Sequence, residues 1–139
     1  MKLENHIIFD YFAKEIRTLV EHGVVVWNSG LTKAQTNELE KVAMRIILGD
    51  NYGSYDMACK LFNVDPLTLR RTQLCVNFSI KLYKSERRCE FFTPAVSRNT
   101  KNQRVLVKEN ICRTTRCFKA PHNYIARLVN ENMHLIEKK

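Results

Sequence analysis

The length and composition of the chain exclude several classes of protein. It has 139 residues, of which 45% are apolar and 27% are charged, a balance typical of one compact unit or two small subdomains and not of a disordered chain. Its longest apolar runs, 24–27 and 46–48, are far shorter than the roughly 20 residues of a membrane helix, and the N-terminus lacks the apolar core of a signal peptide. We therefore expect an intracellular protein without a membrane partner, and the sequence leaves open whether it is nuclear or cytoplasmic.

The basic residues are concentrated in the second half of the chain. Residues 1–69 carry seven Lys or Arg against nine Asp or Glu, whereas residues 70–139 carry sixteen against five. Such a block is typical of a surface that binds a polyanion, because each cation placed near a phosphate releases a counterion. On charge alone, a merely solvated basic face is the alternative.

Apolar spacing predicts a helix at the start of the chain. Apolar residues recur every three or four positions over 6–22, and Gly23 is a plausible end for that helix. The wholly apolar run 24–27 is compatible with a buried strand or with a helix, and periodicity does not decide between them. Residues 28–30, Asn-Ser-Gly, have the chemistry of a turn.

A second helix is predicted over 33–48. Thr32 and Gln35 have the spacing of a capping box, in which each side chain bonds the backbone of the other residue. Residues 49–51, Gly-Asp-Asn, are expected to stop the helix. Its predicted buried stripe comprises Leu39, Val42, Ala43, Ile46 and Ile47.

Two further helices are predicted in the middle of the chain. Ser54 is a candidate N-cap for a short helix that ends near Phe62. Asp65-Pro66 is a stronger start signal, with Asp at the N-cap and Pro at the first helical position, and it predicts a long helix over 66–84. The predicted buried face of the long helix comprises Leu67, Leu74, Cys75, Phe78 and Leu82.

The last third of the chain is less regular. No apolar period runs from 85 to 110, and the polar, basic stretch 97–104 is interpreted as a loop. Residues 105–107 predict a short strand, and Pro121 precedes a final short helix. The predicted fold class is therefore mainly α, a small helical bundle with a long basic loop and a short C-terminal helix, divided into a helical region at 1–92 and a basic loop and tail helix at 93–139. The apolar side of the final helix is expected to comprise Ile125, Leu128, Val129 and Met133.

Four blocks of sequence carry a recognisable pattern. The first is 20–32, in which Glu-His-Gly, three valines and Trp27 follow one another. The second runs from Glu38 to an Arg-Ile-Ile-Leu-Gly ending at Gly49, and the third from Tyr52 to Leu-Arg-Arg ending at Arg71. The fourth comprises Arg116, Pro121, Tyr124, Ile125, Arg127, Leu128 and Asn130. In this order the blocks resemble the region that follows the palm in reverse transcriptases of non-LTR retrotransposons, over residues 10–92 and 112–131.

The resemblance implies a thumb-like helical region from a family of RNA-directed DNA polymerases. A thumb grips the template–primer duplex, and this requires cations at phosphates without any reading of bases. The palm of such an enzyme holds two metal ions on aspartates that include a consecutive pair. The four aspartates of this chain, at 10, 50, 56 and 65, are not adjacent. We therefore expect a fragment that lacks the catalytic palm, with no catalytic residue, no cofactor and no enzymatic activity of its own.

The predicted contacts with the nucleic-acid backbone lie on the long helix and in the segment beyond it. The Arg70-Arg71 pair is favoured because the resemblance places a pair there, although an Arg at a helix start can instead pair with a nearby acid. The expected partner is an RNA or DNA template–primer, bound without regard to sequence. The complete set is Arg70, Arg71, Lys81, Lys84, Arg87, Arg88, Arg98, Lys101 and Arg104.

The cysteines and histidines suggest no metal site. The five cysteines, at 59, 75, 89, 112 and 117, are odd in number and come without a secretory signal, so free thiols are expected. Cys112, Cys117, His122 and His134 have a spacing at the edge of the range for zinc ligands. We interpret them as unrelated thiols and imidazoles.

An apolar patch is predicted around Val24, Val25, Val26 and Trp27. If the resemblance holds, the first helix and this run would pack against a palm. The isolated chain is then expected to expose the patch and to self-associate.

Two other functions remain open on the sequence. One is a free-standing basic helical module that binds nucleic acid, and the other is a transposon-derived interaction or pseudogene product without a binding function. Binding to a primer–template duplex that weakens with salt would exclude the last of these, because phosphate contacts must weaken as salt rises.

Overall fold

The computed structural model describes residues 3–32, 35, 37–95 and 105–137. Helices dominate this part of the chain, which confirms the mainly α fold class. The residues form two compact units. The first unit comprises Met1–Val24 and Leu31–Thr72, and the second comprises Val25–Gly30 and Gln73–Lys139. The division therefore falls within the long helix, whereas the sequence pattern predicts a boundary at residue 92.

The described helices follow one another closely along the chain. In chain order they are α1 (Leu3–Tyr11), a π-helical segment (Phe12–Ile16), α2 (Arg17–Glu21), α3 (Val24–Trp27), a 3-10 turn (Asn28–Gly30), α4 (Glu38–Leu48), a second 3-10 turn (Gly49–Asn51), α5 (Tyr55–Phe62), α6 (Leu67–Lys84), α7 (Arg88–Phe91), α8 (Thr115–Phe118), α9 (Pro121–Glu131) and α10 (Met133–Glu137). In the part of the chain that the structure describes, no helix is both long and apolar enough to cross a membrane.

The predicted first helix is confirmed. α1, the π-helical segment and α2 are continuous, since the residues at both junctions keep right-handed helical dihedral angles. The helix ends where expected, because the backbone of His22 is extended and Gly23 has a φ of 65°. Glycine adopts this positive φ without steric strain, since it has no Cβ atom. The apolar run 24–27 is the short helix α3 and not a strand.

Helix α4 begins later than predicted. The capping box does form, since the Thr32 amide donates to Gln35 Oε1 at 3.1 Å and the Gln35 amide donates to Thr32 Oγ1 at 3.3 Å. The box closes a separate turn, and α4 begins only at Glu38. The predicted helical residues Lys33, Ala34 and Thr36 lie outside the described part of the chain.

The buried face of α4 differs from the predicted stripe. Val42 is 41% exposed and Ile46 is 76% exposed, so the prediction is wrong for both, whereas Ile47 is buried as expected. Glu40 and Met44 are fully buried instead. The apolar pattern failed because it treats a glutamate as a surface residue, and here a buried arginine holds the glutamate inside. Ala43 is partly buried against the core, and the side chain of Leu39 lies outside the description.

Aromatic stacking and helix caps order the core of the first unit. Phe9 of α1 stacks on Phe62 of α5, with ring centroids 4.0 Å apart and planes 7° from parallel. Ser54 caps α5 as predicted, because its hydroxyl accepts from the Met57 amide at 3.3 Å. The core consists of Phe9, Phe12, Met44, Ile47, Leu48, Ala58, Cys59 and Phe62.

The C-terminal part of α6 belongs to the second unit. Cys75, Val76 and Ser79 are buried there, and the Ser79 hydroxyl donates to the Cys75 carbonyl at 2.7 Å. Phe78, predicted to be buried, is 44% exposed, because the buried face passes through the small Ser79. Val107 forms a single antiparallel bridge with Pro94, so among the described residues the predicted strand is reduced to one bridge.

Helix α9 organises the remaining core of the second unit. Its buried residues include Leu128 and Val129, as predicted, together with Ala126. The side chain of Asn130, also on α9, holds the backbone of Leu106 and Val107 in place. Its Oδ1 accepts from the Leu106 and Val107 amides at 3.1 Å each, and its Nδ2 donates to the Val107 carbonyl at 3.0 Å.

Candidate nucleic-acid interface

The favoured pair, Arg70 and Arg71, is not a pair of free surface cations. Arg70 has a half-exposed side chain whose Nε lies 2.6 Å from Oε1 of Glu21. Arg71 is 2% exposed and so cannot reach a phosphate in this conformation. Its predicted role at the surface is therefore wrong for this structure. The alternative that an Arg near a helix start pairs with an acid describes Arg70 well.

Arg71 belongs to a buried polar cluster, which we define as Arg17, Glu21, Glu40, Tyr55 and Arg71. The Arg17 guanidinium lies 3.5 Å from both Glu21 Oε1 and Glu40 Oε1. Burial lowers the pKa of Arg71, and the Glu40 carboxylate opposes that shift. The cluster is balanced internally by opposite charges, which is the condition for retaining charges inside a protein.

Glu40 is the centre of the buried polar cluster. Its Oε2 accepts from the Leu67 amide at 2.8 Å and from the Tyr55 hydroxyl. The Leu67 amide is the first backbone N–H of α6 and has no acceptor within the helix, so Glu40 supplies one. Burial and then the Glu40 carboxylate raise the pKa of Tyr55 well above its usual value. Arg17 also donates to the Asp65 carbonyl at 2.6 Å. The cluster therefore fixes the start of α6, which is a structural task.

Lys81 and Lys84 lie at the opposite end of α6 and are exposed. They are three positions apart, so both project from one face of the helix. With Asn77, Ile80 and Ser85 they line an open depression of about 550 Å³. Among the described residues neither ammonium has an acidic partner within ion-pair distance. They are the predicted site residues best placed to meet a phosphate.

Arg87 and Arg88 are exposed but differ in their contacts. The Arg87 guanidinium lies between 2.8 and 3.2 Å from the Glu90 carboxylate oxygens, in a bidentate pair on the surface. Arg88 lies over the ring of Tyr83, 5.4 Å from its centroid. An exposed ion pair contributes little free energy, so Arg87 can exchange Glu90 for a phosphate at small cost. The remaining predicted cations, Arg98, Lys101 and Arg104, lie outside the described residues.

Three exposed cations of the second unit were missed by the sequence analysis. They are Lys108, Arg113 and Arg116. Lys108 directly follows the residues bonded to Asn130, so α9 determines the position of its backbone. The excess of positive charge in the second half of the chain includes all three, but these residues lie beyond both the long helix and the basic loop at 97–104, where the predicted contacts were placed.

The residues considered as zinc ligands do not assemble into a metal site. Cys112 and Cys117 come together, with sulfur atoms 3.1 Å apart. In the described part of the chain no group of three His, Cys, Asp or Glu residues could hold a metal ion. His122 and His134 are exposed.

Comparisons of the chain with protein families, with curated proteins and with solved structures found no match.

Proposed function

We propose that the chain is the thumb and post-palm part of a retrotransposon reverse transcriptase, and that its second unit binds the sugar–phosphate backbone of nucleic acid without reading bases. The observation that carries the proposal is the partition of charge between the two units. The second unit has fourteen Lys or Arg against five Asp or Glu, whereas the first has nine against nine. The net charge of +9 therefore lies entirely in the second unit.

The placement of the cations supports backbone contact over any catalytic role. Lys81 and Lys84 are exposed on one face of a regular helix and line an open depression of about 550 Å³. A helix holds such cations at fixed spacing, so they can bind successive phosphates without selecting a sequence. In contrast, the cations at the start of α6 are neutralised by Glu21 and Glu40.

The assignment to a reverse transcriptase rests on the order of the four sequence blocks. All four blocks coincide with helices and turns, including the stop at Gly49 and the start of α6. A thumb requires a helical support with a basic face, and the exposed Lys81 and Lys84 at the end of α6 meet that physical requirement.

Binding to a primer–template duplex at increasing salt tests the proposal. Fluorescence anisotropy with a labelled duplex gives the association constant at each salt concentration. Each phosphate contact contributes about 0.9 to the slope of log K against log salt for a B-form duplex, so the variant Lys81→Ala/Lys84→Ala should lose up to about 1.8 of that slope. Alanine is the best helix former, so the variant should keep α6 intact.

A matched control separates a local interface from general electrostatic attraction. The variant Lys14→Ala/Lys60→Ala removes the same two charges from exposed positions of the first unit. It should bind like the parent chain. Equal losses in both variants would show that net charge alone attracts the duplex, and absence of binding at low salt would refute the proposal.

A second candidate function is self-association, and a different surface supports it from the one predicted. Of the run 24–27 only Val26 is strongly exposed, at 67%, while Val24 is 4% exposed, so the run does not form the predicted patch. The first helix instead exposes a set of large apolar side chains. They are Ile7, Ile8, Tyr11, Ile16 and Leu19. We infer that this face packs against protein, either a polymerase body or a second copy of the chain.

A further inference from the structure

The strongest unassigned feature of the molecule is the pair of thiols at Cys112 and Cys117. Their sulfur atoms lie 3.1 Å apart, and both residues are only half-buried. A disulfide has a sulfur–sulfur distance of about 2.05 Å, so bond formation requires an approach of roughly 1 Å. The other cysteines are arranged differently, since Cys59 and Cys75 are buried in cores and Cys89 is exposed on α7.

The fold of the segment between the two cysteines brings the sulfurs together. Thr114 caps the short helix α8, because its hydroxyl accepts from the Cys117 amide at 3.2 Å. This cap turns the chain back, so that Cys117 meets Cys112 across a six-residue segment. The segment is Cys-Arg-Thr-Thr-Arg-Cys.

A buried amide from a neighbouring helix holds both ends of that segment. Asn123 of α9 is 4% exposed, and its Nδ2 donates to Cys112 Sγ at 3.1 Å and to the Cys117 carbonyl at 2.7 Å. The Asn123 Oδ1 in turn accepts from Asn110 Nδ2 at 3.1 Å. Both cysteines are thus positioned by one side chain that has little freedom to move. The hydrogen bond with the Cys117 thiol also raises the pKa of Cys112.

We propose that Cys112 and Cys117 form a redox-active dithiol. A low-molecular-weight disulfide such as oxidised glutathione oxidises this dithiol to an intramolecular disulfide. One cysteine thiolate attacks a sulfur of oxidised glutathione and releases one glutathione thiolate, leaving a mixed disulfide. The second cysteine attacks the protein sulfur of that mixed disulfide and releases the second glutathione. The two protein thiols are oxidised, the oxidant is reduced to two glutathione thiols, and excess reduced glutathione reverses both steps.

Thiol trapping after equilibration with glutathione redox buffers tests the proposal on the full-length chain. Free thiols are alkylated with N-ethylmaleimide after an acid quench, and intact mass with peptide mapping locates the modified residues. We expect the loss of two alkylatable thiols, at Cys112 and Cys117, without retained glutathione. Three results would overturn the proposal. They are a persistent glutathione adduct on Cys112 or Cys117, a dimer linked through either residue, and free thiols at Cys112 and Cys117 under conditions that already modify Cys89.

Any two cysteines this close in sequence can form some disulfide. If the fold positions the pair, the equilibrium constant for disulfide formation with glutathione should be larger in the folded chain than in the unfolded chain. The folded chain should form the bond at least about tenfold more readily than the same chain in urea, because Asn123 and Thr114 hold the sulfurs together. Equal constants in the two states would overturn the claim that the structure positions the pair.

Two variants control for the identity of the cysteines. Cys89→Ser should leave disulfide formation unchanged, and Cys112→Ser should leave a single glutathione adduct at Cys117. Phenylarsine oxide provides an independent measurement on the reduced parent chain, since one trivalent arsenic binds two neighbouring thiols. It should bind the parent and Cys89→Ser, and failure to bind the parent would count against the proposal.

Discussion

Replacement of Glu40 by glutamine is expected to destabilise the chain strongly. The glutamine keeps the size of the side chain and can still accept from the Leu67 amide, but it removes the negative charge that faces Arg17 and Arg71. Glu40 is fully buried and Arg17 is 4% exposed, so water cannot replace the lost carboxylate. The effect therefore measures how much of the first unit depends on the buried polar cluster.

The structure allows the magnitude of this effect to be estimated. Removal of one partner from a buried ion pair costs about 3–5 kcal/mol. The lower end, about 3 kcal/mol, applies here because Arg17 keeps Glu21 and the Asp65 carbonyl as partners. With a urea m value of about 2 kcal/mol per molar, the unfolding midpoint should fall by about 1.5 M.

Urea unfolding followed by far-UV circular dichroism is the appropriate assay, with Glu38→Gln as the matched control. Glu38 lies in the first turn of the same helix but is exposed, so its replacement should change the free energy of unfolding by about 0.5 kcal/mol or less. If the two variants unfolded at the same urea concentration, the reasoning that the carboxylate of Glu40 stabilises buried arginines would be refuted.

Two further predictions concern the same unit. Because the pKa of Tyr55 is raised above 10.0 in the folded chain, its contribution to stability is present below pH 10 and is lost as the pH rises further. In the parent chain the urea midpoint should fall between about pH 9 and pH 11, and in Tyr55→Phe it should fall less. An equal fall in both chains would contradict the attribution of this pH dependence to Tyr55. If the exposed face of the first helix mediates self-association, Ile8→Glu/Leu19→Glu should lower the mass found by sedimentation velocity, whereas the exposed control Thr18→Glu should not. A parent chain that sediments as a monomer would exclude self-association through that face.

Helix ends were the part of the fold most accessible from sequence. The stop at Gly23 and the Ser54 cap of α5 follow local rules, because caps and glycines act on backbone groups within a few residues. Helix faces were less accessible. Val42, Ile46 and Phe78 are exposed although they continue apolar patterns, and Glu40, Arg71 and Ser79 are buried although they interrupt them. Which face is buried depends on the partners that the face meets.

The candidate site shows the same limit. The excess of positive charge in the second half identified the basic region, and Lys81 and Lys84 are exposed as expected for contacts with phosphate. Arg70 and Arg71 could not be distinguished from them by sequence, since adjacent arginines on a helix point in directions about 100° apart. One meets Glu21 and the other is buried near Glu40, and both acids lie on other helices.

The amino-acid sequence by itself determined the helical class, most helix boundaries and the location of the positive charge. Helix propensity and capping depend on residues close together along the chain, and the charge of a segment follows from its composition. The tertiary structure alone decided which charges are neutralised inside the first unit and which residue of α9, Asn123, holds the two neighbouring thiols of the second. Glu40 and Arg17 are 23 positions apart in sequence, and their pairing depends on how α2 and α4 pack. Burial turns such long-range pairs from negligible surface contacts into strong constraints, since the interior lacks the water that screens charge.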